Sequence, residues 1–156
     1  MDVSPPFTSM EQLPAASLAA LREHLARVRH DLGKYVAFQA RWLPGGAGIE
    51  ELRGALSADL ARTRSCAGRV ESAPEIWERL RPALVGAVAL EDGSRVDLSN
   101  DADFLDVEAG IAVVREVLPA LPSAPPAVLE GARTAALGIA AALQRLTTRA
   151  RAAERV

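Results

Sequence analysis

Apolar positions recur at helical spacing along most of this chain. Leu18, Leu21, Leu25, Val28, Leu32 and Tyr35 follow one another in steps of three and four, a seam that predicts one long helix running on to Leu43. "PGGAG" at 44–48 stops it, because proline and glycine continue a helix only at a cost. A second helix is expected on Ile49, Leu52, Leu56 and Leu60, fading near Gly68, and so short a connection implies an antiparallel hairpin. After "ESAP", with Ser72 as N-cap and Pro74 in the first turn, "EIWERLRPALVGAVAL" predicts a third helix that Pro82 kinks or shortens. Phe104, Val107, Ile111, Val114 and Leu118 mark a fourth. "PALPSAPP" breaks it, and a last helix runs from Ala127 towards the end. Between the third and fourth, "EDGSRVDLSNDADF" is the one non-helical island, with Asp92-Gly93 as a hairpin-turn signal. The expected fold is all-α, a bundle of about five helices led by a long antiparallel helical hairpin. Residues 1–14 read as an irregular, proline-punctuated lead-in and 15–156 as a single domain.

Composition sharpens this picture. Apolar residues make up 49% of the chain but aromatics only 4%, and alanine and leucine dominate, which favours helices packed through small side chains over a β-sandwich. Gly131, Ala135, Gly138 and Ala142 are small enough to let another helix approach the last one closely, and Arg145, Arg149, Arg151 and Arg155 suit the negative pole of its dipole. A net charge of -2 provides no field to recruit nucleic acid or an anionic membrane. The longest apolar stretch, "TAALGIAAAL", falls well short of the roughly 20 residues a membrane span needs. "MDVSPPFTSM" is acidic and proline-broken, unlike a signal peptide. A single cysteine, Cys66, excludes an intramolecular disulfide framework and fits a reducing cytoplasm. The expectation is a cytoplasmic protein without nucleic-acid or membrane partners and without a cofactor or bound metal.

One octet carries chemistry. "RHDLGKYV", residues 29–36, holds the only lysine, the only tyrosine and one of two histidines. With Leu25 and Val28 as heptad positions a and d, His30 falls at f, facing away from the core. Each residue turns a helix by about 100°, so Arg27, Gly33 and Lys34 are its surface neighbours. A phospho-accepting histidine needs this kind of setting. Its nitrogen must be exposed, the arriving group brings about two negative charges for cations to meet, and a neighbouring acid orients the ring. His30 is therefore the candidate acceptor, Asp31 its orienting acid, and Lys34 with Arg27 the stabilising cations. Gly33, read as a mid-helix glycine, leaves room for a partner to dock.

"LARVRHDLGKYV" resembles the H-box helix of histidine-kinase dimerisation and histidine-phosphotransfer domains, in which His, an acidic residue and Leu follow one another on an amphipathic helix. His30-Asp31-Leu32 carry the match, and the hairpin of residues 16–70 resembles that family's two-helix unit. The sequence departs from the pattern after Leu32. Stand-alone phosphotransfer bundles usually carry Lys then Gly at the third and fourth places, and Gly33 and Lys34 stand here in reverse order. The resemblance implies a response-regulator receiver domain as protein partner and a homodimer formed through the hairpin. No glycine-rich ATP-binding segment follows, so a complete kinase is excluded; at most the chain transfers phosphoryl groups. The alternative is a non-catalytic helical interaction or scaffold protein acting through helix–helix contacts.

Other constellations are weaker. "HDLGK" also resembles the His-Asp pair of metal-dependent HD phosphohydrolases, but His24, the only other histidine, lies six residues earlier and roughly 240° around the helix, so the two cannot share a metal as i,i+4 ligands do. Asp97, Ser99, Asp101, Asp103 and Glu108 fall on EF-hand spacing, yet Ala102 stands where the loop's sharp turn wants glycine. The expected role of this acidic loop is to cap the fourth helix. No P-loop, dinucleotide fingerprint or nucleophile elbow occurs.

Overall fold

The computed structural model describes residues 5–34, 48–64 and 68–154. The expected continuation of the first helix to Leu43, Tyr35, the turn at 44–47 and Cys66 lie outside the described residues. The bundle is all-α. Its helices among the described residues are α1 (Ala15–Leu32), α2 (Ile49–Ala61), α3 (Ala73–Leu80), α4 (Ala102–Val117) and α5 (Pro126–Glu154). The only paired strands there are β1 (Thr63–Arg64) and β2 (Val70–Glu71), antiparallel with Thr63 opposite Glu71.

Helix α5 is the spine. Leu129, Ala132, Ala136, Ile139, Leu143 and Leu146 form its buried stripe, and it packs most extensively against α4 and next against α1. The α4–α5 pair is antiparallel: Arg145 reaches Asp103 and Asp106 near the start of α4, while Gly110 meets Ala135 and Ile139 further along. A Cβ on Gly110 would fall 2.5 Å from Ile139 Cγ1, so this glycine sets how closely the two helices approach. Gly131 and Gly138, by contrast, meet nothing within 4 Å. With Val113, Thr134 and Ala141 they line an open groove of about 350 Å³. Of the small residues singled out on the last helix, Ala142 is buried, while Gly131 and Gly138 face outward.

Several boundaries differ from the periodic reading. Helix α1 ends at Leu32, and Gly33 is its C-cap, its N–H donating to the Arg29 carbonyl at 2.7 Å. Gly33 is thus a terminator rather than a mid-helix glycine. Helix α2 ends at Ala61, and the chain turns into β1 where helix was expected to persist. Ser72 caps α3 through Glu75 N at 3.3 Å, and Pro82 sits in a 3₁₀ turn (Arg81–Leu84) that shortens the third helix. Beyond it Val85 bridges Asp97, and the turn at Asp92-Gly93 closes with Leu90 N–H on Ser94 O at 2.8 Å. Gly93 there has φ +86°, which only glycine adopts cheaply. The lead-in also belongs to the core: Met10 and Leu13 are buried, and Phe7 bridges Val96.

Candidate functional site

His30 sits in the last turn of α1 with 65% of its side chain exposed, whereas the adjacent Asp31 side chain is fully buried. The two meet at 2.9 Å, His30 Nδ1 to Asp31 Oδ1. Heptad position f explains the exposure of His30; position g, beside the core seam, lets neighbouring elements cover Asp31. Asp31 Oδ2 accepts from an Arg79 NH2 group at 3.4 Å, and the same guanidinium lies 3.3 Å from Glu71. So Arg79 of α3 supplies the positive charge that compensates the buried carboxylate, and Glu71 of β2 shares the same guanidinium.

The chemical consequence is a fixed tautomer. An ionised carboxylate only accepts hydrogen bonds, so a neutral ring facing it carries its proton on Nδ1 and presents the lone pair on Nε2. Sequence reasoning anticipated the His30–Asp31 pair. It did not anticipate that Asp31 is buried or that Arg79 backs it, since both depend on segments distant in the chain.

Two other candidates are directed elsewhere. Arg27 pairs with Glu91 of the 91–94 turn, and Lys34 Nζ donates to Thr63 Oγ1 of β1. The helix spacing that put Lys34 beside His30 lapses because α1 ends two residues before it. Arg29 and Arg151 instead line, with His30, Ala26, Gly33 and Thr147, a hollow of about 290 Å³ between α1 and α5. Thr147 Oγ1 is turned back onto the Leu143 carbonyl at 2.9 Å. Arg29 was legible only as a neighbour in sequence, and Arg151 only as one of several arginines ending the last helix.

The second histidine differs in kind. His24 is half-buried and its Nε2 donates to the Leu80 carbonyl at 2.9 Å. Burial lowers its pKa below the ordinary histidine value, more than the bond to the Leu80 carbonyl raises it.

The acidic loop is occupied by structural bonds. Asp97 accepts from Ser99 N at 3.0 Å, and Asp101 caps α4 through Asp103 N and Phe104 N at 2.9 and 3.3 Å. Asp103 pairs with Arg145 and Arg149. Glu108 accepts from the indole of buried Trp77 at 2.9 Å and pairs with Arg81. Among the described residues no group of three or more His, Cys, Asp or Glu side chains is placed to hold a metal ion. Helix α5 has the length and composition to cross a membrane, and its apolar stripe lies here against α1 and α4.

No family model, no curated protein and no solved structure matches this chain.

Proposed function

We propose that this protein is a histidine-phosphotransfer-like module of the cytoplasm in which His30 accepts a phosphoryl group at Nε2. One observation carries the reading: an exposed imidazole is held through Nδ1 by a carboxylate that is itself fully buried and backed by Arg79. An exposed histidine without such a partner would sample both tautomers. Here Asp31 favours the one whose Nε2 lone pair points away from the carboxylate.

In the proposed step, Nε2 attacks the phosphorus of a donor such as an acyl phosphate. The N–P bond forms as the P–O bond to the donor's carboxylate breaks, and the carboxylate departs with the bonding pair. The ring then carries protonated Nδ1 and phosphorylated Nε2, and Asp31 stabilises the positive charge it gains. The chain contains no glycine-rich nucleotide cradle, so the donor is another phosphoprotein or a small phosphorylated compound. By its resemblance to phosphotransfer helices, the partner is a receiver domain bearing a phosphorylated aspartate.

The test is incubation of the folded protein with phosphoramidate, followed by intact-mass measurement before and after brief acid. An acid-labile gain of one phosphate that is lost in His30→Gln supports the reading. No adduct, beside a histidine protein that is phosphorylated under the same conditions, overturns it. That result would leave the helical interaction protein, to which the open groove along Gly131 and Gly138 belongs.

A further inference from the structure

Among the described residues the arginines of this protein are mostly matched to carboxylates: Arg22 to Glu154, Arg27 to Glu91, Arg115 to Glu78. Arg29 and Arg151 are different. Neither has an ion pair among the described residues, and both line the hollow beside His30. Two cations brought into one hollow from separate helices repel each other, and an anion between them reverses that penalty.

We propose that this hollow is a phosphate site in which Arg29 from α1 and Arg151 from α5 hold the peripheral oxygens of a tetrahedral dianion next to His30 Nε2. The inference rests on the phosphotransfer reading of His30 for its purpose but not for its chemistry, since guanidinium forks bind phosphate oxygens whether or not a covalent step follows. Thr147 takes no part, because its proton is committed to the Leu143 carbonyl. Gly33 fits the same arrangement. A Cβ there would fall 2.7 Å from the Arg29 carbonyl oxygen and 2.9 Å from Arg29 Cγ, so the glycine lets the Arg29 stem lie across the end of α1. The site replaces Arg27 and Lys34 as the source of positive charge, those two being engaged with Glu91 and Thr63.

The experiment uses the full chain and two probes, inorganic phosphate and phosphoramidate. Phosphate is titrated while arginine Nε and histidine ring signals are followed by NMR, with circular dichroism to establish that each variant is folded. Saturable binding is expected, weakened about ten-fold by Arg29→Gln and by Arg151→Gln, a loss that corresponds to one charge-assisted contact. His30→Gln should alter it less than about two-fold, and the surface control Arg115→Gln should leave it unchanged, since that guanidinium lies outside the hollow. No saturable binding, or equal weakening by Arg115→Gln, overturns the site. Phosphoramidate separates this proposal from the one it rests on. Phosphate binding without a covalent adduct keeps the anion site and sinks the acceptor role of His30. An adduct formed without saturable phosphate binding keeps the acceptor role and sinks the anion site.

Discussion

Helix α5 carries Arg145, Arg149 and Arg151 within two turns, and the first two are used in the opposite way to the third. Arg145 and Arg149 are saturated. Arg145 binds Asp103 at 2.7 Å and Asp106 at 2.9 Å; Arg149 binds Asp101 at 2.8 Å, Asp103 at 3.0 Å and Glu11 at 3.3 Å. Through them the start of α4 and the lead-in are fastened to α5. Arg151, two residues on, points to the opposite side with Arg29 and His30 and has no ion pair among the described residues. A charge that is matched reports on how the bundle is held together. On the proposed reading, a charge left without an ion pair beside His30 is kept for an anion that the bundle receives.

This contrast can be broken by stability measurements. The largest loss is expected where a wholly buried charge loses a counter-ion: Arg79→Ala should destabilise by on the order of 3 kcal/mol, because Asp31 has no access to water. Urea or guanidinium melts would read it as a lower midpoint. If Arg79→Ala proves as stable as the parent, Asp31 is not a compensated buried carboxylate, and the fixed tautomer of His30 loses its support. Arg149→Ala should come next, at about 1–2 kcal/mol, because two of its carboxylates, Asp101 and Asp103, are nearly buried while the guanidinium itself is 36% exposed and partly screened. Arg29→Ala and Arg151→Ala should each lie within about 0.5 kcal/mol of the parent. An Arg151→Ala loss as large as that of Arg149→Ala would erase the distinction between Arg151 and its two paired neighbours.

The pH dependence sharpens the comparison in the same order. Burial of Asp103 would raise its pKa, but the bonds from Arg145 and Arg149 outweigh it and hold the carboxyl below the ordinary value. The folded protein therefore binds that proton later than the unfolded chain does, and the stability this group contributes is lost as pH falls below about 4. Asp103→Asn should be less stable than the parent at neutral pH and should show a shallower acid loss. His24 acts in a higher window. Its pKa in the fold is lowered, chiefly by burial, so the unfolded chain takes up the proton first, and stability should decline from about pH 7 downwards. In His24→Gln the slope of stability between about pH 7 and 5 should flatten. An unchanged slope would show that the His24 ring is not held neutral against the Leu80 carbonyl.

Helix content and the faces of the helices were legible in the sequence because they depend on local spacing. Leu18, Leu21, Leu25, Val28 and Leu32 are all buried, Ser72 caps the helix it was expected to cap, and the cap expected from the acidic loop is Asp101. Gly33 held a signal that the periodic seam overrode: a glycine just past an apolar turn is more often a terminator than an interior residue. With Gly33 as the cap of α1, the i,i+4 spacing that set Lys34 beside His30 no longer applies, and Lys34 donates to Thr63. The strands at Thr63 and Val70 are two residues long, too short for any period to register. Of the candidate site, the His30–Asp31 contact was legible because adjacent residues must be close. The burial of Asp31, its compensation by Arg79 and the approach of Arg151 are tertiary facts, created when α3 and α5 pack against the end of α1. No pattern within a single helix encodes them.

The most direct test of the central claim is a long-range ¹H–¹⁵N NMR spectrum of the histidine rings, recorded before and after phosphoramidate. The neutral His30 ring is expected to carry its proton on Nδ1, and the phosphoryl group then to appear on His30 Nε2 while His24 is unmodified. A His30 ring protonated on Nε2 in the free protein, or a phosphoryl group on Nδ1 or on His24, would contradict it.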